Sequence, residues 1–170
     1  MNKKVQSIKI NFVMNSILTM SSFIFPLITF PYVSRILLPS GIGKVSLATS
    51  VITYFTMFAQ LGIPTYGIRA CAKVRDNRKE LTKVSQELLI ISIIMSAISY
   101  MILFILLFSV SKFRCEKELY VILSFTILLT AIGMEWLYKA LEQYTYITMR
   151  SVIFKFIALI AMFFLVHRSE

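Results

Sequence analysis

The stretch LGIPTYGIRACAKVRDNRKE, residues 61–80, changes abruptly from apolar to basic. Gly62, Pro64 and Gly67 interrupt its apolar half, and six Lys or Arg residues follow between Arg69 and Lys83. Long apolar segments bounded by basic clusters recur along the chain, a pattern typical of membrane proteins whose basic loops stay on the cytoplasmic side. We therefore expect a membrane-spanning helix to leave the bilayer at Gly67 to Arg69.

The composition also indicates a membrane protein. The chain of 170 residues is 58% hydrophobic and 15% charged, with a mean hydropathy of +0.78. A soluble domain rarely has this balance. The formal net charge of +10 comes from clusters between apolar segments, so it predicts topology signals and not a nucleic-acid partner. The alternating pattern of barrel strands is absent, which predicts an all-α membrane protein.

Five apolar segments have about the 20 residues that a helix needs to cross roughly 30 Å of hydrocarbon. They form a single predicted membrane domain, residues 1–170, with spans at 10–33, 45–66, 88–110, 119–138 and 151–166. The more basic set of ends and connections contains Lys3, Lys4 and Lys9, then the run from Arg69 to Lys83, then Lys139 and Arg150. The opposite set contains Arg35 and Lys44, then Lys112, Arg114 and Lys117, then Arg168. This bias places the N-terminus inside and the C-terminus outside.

The basic run after Gly67 has two interpretations. It is a topology signal and an anchor for anionic lipids, or it has a role in substrate binding. Asp76 is the predicted N-cap of a helix that extends the third span below the membrane.

Polar side chains cluster on two predicted helices. Asn15, Thr19 and Ser22 share one face of the first helix, whose outer half Pro26 and Pro31 are placed to bend. The second helix has a face of hydroxyl residues, Ser46, Thr49, Ser50 and Thr53. These faces either line a polar cavity or form hydrogen bonds between packed helices. The spacing of Ser46 and Ser50 also suits close helix packing.

Two ionisable groups fall within or beside the later spans. The apolar segment after Lys155 is too short to cross a bilayer, so Lys155 enters the membrane, where it either reaches back to the interface or faces an aqueous lumen. Glu135 precedes Lys139 by four residues, which predicts a helical ion pair.

Residues with catalytic chemistry are scarce. The single histidine is His167, and Cys71 and Cys115 fall on opposite membrane faces in the predicted topology. Neither a metal cluster nor a disulfide is therefore expected, and nucleotide-binding glycine motifs are absent. We predict that the protein is not an enzyme and uses no cofactor.

Two stretches resemble a known family. LPSGIGKVSLATSVITYFTMFAQLGIPTYGIRACAKVRD, residues 38–76, and GMEWLYKALEQYTYITMRSVIFK, residues 133–155, are similar to the N-terminal part of the bacterial polysaccharide repeat-unit flippases. That family exports O-antigen, capsule and teichoic-acid units and belongs to the superfamily of the multidrug extruders. Ala70 stands where similar sequences often have Glu, so no role is transferred to an acid there.

The resemblance implies a carrier whose two lobes of helices enclose a cavity that opens alternately to each side. Its substrate would be an oligosaccharide linked to a polyprenyl diphosphate, moved to the outer leaflet of the bacterial cytoplasmic membrane. Membrane lipids and polysaccharide polymerase machinery would be its other partners. A diphosphate crossing hydrocarbon needs cations beside it. The candidate substrate-binding residues are Arg35 as anchor, Lys155 as relay, Lys44 and Asn15; alternatively, these charges contact lipid headgroups.

Five spans do not complete even one lobe of such a carrier, so we read the chain as its N-terminal portion and expect no flipping by it alone. A small transporter that assembles as an oligomer is the alternative. Two other functions remain open: a drug or cation antiporter of the same superfamily, and a fragment without transport activity. The antiporter would need a deep acidic residue, and the spans contain only Glu135, near an end.

Overall fold

The computed structural model describes residues 7–165, apart from the side chains of residues 111, 112 and 165. Every regular element in this part of the chain is an α-helix, which confirms the predicted all-α class. The seven helices are α1 (Ile8–Gln60), α2 (Ile63–Lys73), α3 (Arg78–Ser109), α4 (Ser111–Arg114), α5 (Lys117–Gly133), α6 (Glu135–Ala140) and α7 (Tyr144–Leu165).

Four helical stretches of the described residues are long and apolar enough to cross a membrane: Ile8–Lys73, Arg78–Ser109, Lys117–Ala140 and Tyr144–Phe164. The chain is thus a multi-pass membrane protein. The first stretch has 66 residues, about three times the length of one span, and contains the first two predicted spans.

α1 is interrupted at Leu38, whose backbone is not helical (φ 57°, ψ 164°). Pro39 follows it, and proline disfavours the helical conformation in the residue before it. The interruption lies between the predicted spans 10–33 and 45–66, and after both Pro26 and Pro31. We call residues 8–37 α1a and residues 39–60 α1b.

The chain divides into two compact units, residues 1–42 with 142–170, and residues 43–141. In the first unit α1a packs against α7. Thr148 Oγ1 donates a hydrogen bond to the carbonyl of Met14 (2.9 Å), and Tyr32 contacts Phe163 with ring centroids 4.7 Å apart. Contacts advance along both helices together, so α1a and α7 run parallel. In the predicted five-span topology the first and fifth spans both run from the inside to the outside, so they must be parallel.

In the second unit α3 packs antiparallel to both α1b and α5. Ser99 Oγ donates to the carbonyl of Phe55 (2.9 Å), and Tyr100 Oη donates to the carbonyl of Ser124 (2.6 Å). Small residues at these contacts let helices approach closely, which drives helix association in lipid. The buried cluster consists of Ala48, Ile52, Ala59, Leu103, Leu107, Tyr120 and Ile127.

The packing face of α1b differs from one expectation. Ser46 and Ser50 are exposed, and the Ser50 hydroxyl donates to the carbonyl of Ser46 in its own helix. Ala48 and Ile52 are buried in their place. The serine spacing alone did not identify the packed face, because neighbouring positions also offered a small residue.

A helix break that was not predicted lies inside the second predicted span. The helix does not stop at Gly67 to Arg69; it breaks earlier, at Leu61 (φ 40°) and Gly62 (φ 75°), and α2 continues to Lys73. The predicted helical extension before the third span is present, but Asp76 does not cap it. Asn77 is the N-cap of α3, and its Oδ1 accepts from the backbone N–H groups of Lys79 and Glu80.

α2 and α6 pack on each other beside the start of α3. Their buried cluster contains Ile63, Cys71, Leu88, Trp136 and Ala140. α6 begins after Met134, whose backbone is left-handed (φ 42°) and ends α5. The predicted pair on α6 is confirmed, with Lys139 Nζ 2.9 Å from Glu135 Oε1.

Candidate functional site

Lys155 of α7 is held by two hydroxyl groups of α1a. Its Nζ donates to Ser21 Oγ and to Ser22 Oγ, each at 2.9 Å. Both serine hydroxyls donate in turn to the carbonyl of Leu18, at 2.7 and 3.0 Å, so their lone pairs are left to accept from the ammonium. The Phe25 ring centroid lies 6.0 Å from Nζ, at the outer limit of a cation–π contact.

The charge of Lys155 is not neutralised by a carboxylate within residues 7–165. An ammonium has three N–H donors, and the two serines use two of them. The hydroxyl dipoles orient the cation without cancelling its charge. This arrangement leaves Lys155 able to attract an anion and to donate one further hydrogen bond to it.

Asn15 and Arg35 lie on the same helix as the two serines. Asn15 is exposed and precedes Ser22 by seven residues, two helical turns or about 10 Å. Arg35 is also exposed and lies thirteen residues beyond Ser22, about 20 Å along the axis. A single diphosphate could not contact both Arg35 and Lys155, so the two cations mark separate positions along α1a.

Lys44 belongs to the second unit and has a partner of its own. Its Nζ lies 2.5 Å from Glu116 Oε1, at the beginning of α5. The Glu116 carboxylate offsets the charge that was expected to attract a substrate. Of the four predicted residues, Lys44 is therefore the least suited to bind an anion.

A groove of about 260 Å³ lies between α1b and α5. Thr49, Thr53 and Thr56 each donate their hydroxyl to a carbonyl of their own helix, at 2.7–2.8 Å. Their methyl groups and oxygen lone pairs remain for a ligand. Two of the four residues of the expected hydroxyl face, Thr49 and Thr53, line this groove, and no residue of α1a does. The groove is lined by Thr49, Ile52, Thr53, Thr56, Met57, Gln60, Leu123 and Thr126.

Sequence reasoning identified Lys155 but not its partners. Ser22 was expected on the polar face of the first span, but 133 positions separate it from Lys155, and 134 positions separate Ser21 from Lys155. The two adjacent serines of MSSF, residues 20–23, were the available signal for a hydrogen-bonding site. Only the register of α1a against α7 connects them to Lys155. Gln60, which also lines the groove, was not among the residues of the expected hydroxyl face.

Several predicted features lie beyond the described residues: Lys3, Lys4, His167 and Arg168. Within residues 7–165, the His, Cys, Asp and Glu side chains form no cluster that could hold a metal ion. Cys71 is buried and Cys115 is exposed, and neither forms a disulfide.

Comparison with known proteins gives two matches. The sequence model of a family described as "Polysaccharide biosynthesis protein" matches residues 8–169. The protein named "Putative O-antigen transporter" from Escherichia coli (strain K12) is 25% identical over 155 residues, which cover 90% of this chain and 37% of the relative. The chain therefore spans little more than a third of that relative's length. No solved structure matches the present chain significantly.

Proposed function

Because the chain belongs to the polysaccharide biosynthesis protein family, we propose that it acts in a transporter that moves lipid-linked oligosaccharide repeat units across the bacterial cytoplasmic membrane. The substrate in this proposal is an oligosaccharide attached to a polyprenyl diphosphate. The observation that carries the proposal is the family match over residues 8–169, together with a relative whose name is that of an O-antigen transporter.

The environment of Lys155 supports an anionic substrate. A diphosphate carries at least two negative charges, and an unpaired charge in hydrocarbon is costly. Lys155 offers an ammonium with one unused donor, oriented by Ser21 and Ser22. We assign the phosphate contact to Lys155, with Asn15 two turns away on α1a to hydrogen-bond a sugar hydroxyl or a phosphate oxygen.

We assign Arg35 to a second substrate position along α1a, which the phosphate would occupy before or after it contacts Lys155. Its guanidinium suits a bidentate contact with phosphate, and its distance from Lys155 suits successive and not simultaneous contacts. The parallel direction of α1a and α7 also supports the five-span topology on which this path depends.

Substrate binding can be tested with the full chain in phospholipid vesicles, using a photoreactive polyprenyl diphosphate that carries a short oligosaccharide. We expect cross-linking that unlabelled polyprenyl diphosphate suppresses and that the polyprenyl alcohol of equal length does not. Lys155→Gln should weaken it by about ten- to a hundredfold, because a charged hydrogen bond contributes roughly 1.5–3 kcal/mol. Equal suppression by the alcohol would refute a diphosphate substrate.

Transport can be tested in the Escherichia coli relative, of which this chain matches 37%. A chimera in which residues 8–165 replace the matching segment of the Escherichia coli relative can be expressed in a strain that lacks the relative and otherwise makes O antigen. The proposal predicts O antigen at the cell surface, and its loss in the Lys155→Gln chimera at unchanged membrane abundance. A chimera that is abundant, binds the diphosphate probe and exports nothing would exclude flipping and leave only binding.

A further inference from the structure

The helix α2 has two contrasting faces. The inner face consists of Ile63, Gly67 and Cys71, which recur every fourth residue and are buried. Gly67 lies directly against the Trp136 ring, and Cys71 Sγ is 3.6 Å from Ser85 Oγ. These contacts with α6 and α3 fix the rotation of α2 about its own axis, so the opposite face points away from both of these helices.

The opposite face carries an aromatic ring and two cations. Tyr66, Arg69 and Lys73 are spaced by three and four residues, which places them on one side of the helix, and all three are exposed. α2 contains no Asp or Glu. Its two positive charges are therefore not offset within their own helix.

The charged groups around α2 keep the region positive. The following loop and the first turns of α3 contain Arg75, Arg78, Lys79 and Lys83, opposed by Asp76, Glu80 and Glu87. On α6, which packs against the inner face, Glu135 and Lys139 neutralise each other. The segment from Ile63 to Glu87 thus contains six basic and three acidic residues. The two basic residues of α2 have no acidic residue in their own helix.

The position of α2 along the chain, directly after an apolar helix, is suited to the membrane surface. It starts two residues after the apolar helix α1b, beyond the left-handed turn at Leu61 and Gly62. An exposed tyrosine followed by basic residues at the end of an apolar span is typical of the lipid headgroup region. A helix face in that region is adjacent to lipid phosphate groups.

We propose that the outer face of α2, formed by Tyr66, Arg69 and Lys73, binds the headgroup phosphate of an anionic phospholipid. The two cations supply the charge, and the tyrosine ring lies at the boundary between headgroups and acyl chains. This site does not depend on the proposed transport function, because a structural phospholipid and not the substrate occupies it.

Trp136 is a built-in reporter for this test. It is the single tryptophan of the chain, and it lies on the other side of α2 from the proposed headgroup. The full chain can be reconstituted in phosphatidylcholine vesicles that contain equal mole fractions of acyl-brominated phosphatidylglycerol or acyl-brominated phosphatidylcholine. Bromine quenches the tryptophan only at short range, so the difference between the two vesicles measures enrichment of the anionic lipid near α2.

We expect brominated phosphatidylglycerol to quench Trp136 more strongly. A basic residue near an anionic surface contributes about a fivefold preference, or on the order of 25-fold for the pair. Arg69→Gln with Lys73→Gln should remove most of this preference. The swap Arg69→Lys with Lys73→Arg should retain it, as should Lys9→Gln with Lys117→Gln, which changes two exposed cations on other helices.

Salt and soluble phosphate separate the remaining outcomes. Potassium chloride should reduce the preference in the unmodified chain, because mobile ions screen exposed charges. Equal quenching by the two lipids in the unmodified chain would overturn the proposal. An unchanged preference in the Gln pair would do the same. Displacement of the lipid by inorganic phosphate at matched ionic strength would assign the cations to a soluble phosphate compound and also refute the lipid site.

Discussion

A Cβ atom placed on Gly67 would lie 2.6 Å from Cε3 of Trp136, closer than carbon atoms approach in proteins. The absence of a side chain on Gly67 lets the indole ring of Trp136 approach the backbone of α2 closely. This contact is part of the packing of α2 on α6. Both helices follow residues with left-handed backbone, Gly62 and Met134 respectively. The glycine is thus required by a tertiary contact and not by its own backbone conformation.

Gly67→Ala should destabilise the protein by about 1–3 kcal/mol, the usual cost of overpacking. The intrinsic gain of alanine over glycine in a helix, roughly 1 kcal/mol, offsets part of this cost. Unfolding of the purified chain followed by Trp136 fluorescence measures the change. Gly43→Ala is the matched control, because its added methyl meets nothing within 4 Å, and it should leave stability unchanged or raise it. Equal effects of the two substitutions would disprove the steric role of Gly67.

Removing both hydroxyls that hold Lys155 should release its ammonium. Ser21→Ala with Ser22→Ala deletes two hydrogen bonds from the ammonium, each contributing roughly 1.5–3 kcal/mol because the donor is charged, and should also weaken cross-linking of the diphosphate probe. Thr29→Ala with Ser34→Ala is the control, since these hydroxyls donate only to carbonyls of their own helix. If the two double variants bind the probe equally well, the hydroxyls of Ser21 and Ser22 do not contribute to anion binding by Lys155.

Labelling of the two native cysteines tests the predicted topology. Cys115 is exposed and lies on the predicted outer side, so a membrane-impermeant maleimide should label it in intact cells. Cys71 is fully buried and should stay unlabelled until the protein is denatured. Cys115→Ser should abolish labelling, and Ala72→Cys, an exposed position on the predicted inner side, should react only after permeabilisation. Labelling of Cys115 that requires permeabilisation would reverse the assigned orientation.

The capping of α3 predicts a difference between adjacent residues. Asn77→Ala should cost about 1 kcal/mol, because the N–H groups of Lys79 and Glu80 lose their acceptor. Asp76→Ala should change stability by no more than about 0.5 kcal/mol, as is usual for an exposed site. Thermal unfolding of both variants in the same detergent measures the contrast. A larger loss for Asp76→Ala would restore the cap that the sequence suggested.

Local features were accessible from the sequence. Membrane character follows from apolar length, and the pair between Glu135 and Lys139 follows from a four-residue spacing that any helix brings together. The cap of α3 was predicted one residue too early, because Asp76 and Asn77 offer the same kind of side-chain oxygen. The break before α2 was missed because Gly67, and not Gly62, was taken as the end of the span.

Hydropathy and charge along the chain are sufficient to identify an all-α membrane protein with basic connections, because both properties act within a single segment. Three contacts depend instead on tertiary packing: Lys155 with Ser21 and Ser22, Gly67 with Trp136, and Lys44 with Glu116. Each of these contacts joins residues more than 60 positions apart. Their register depends on how side chains of two helices interlock, and a periodic pattern along one helix does not contain that information.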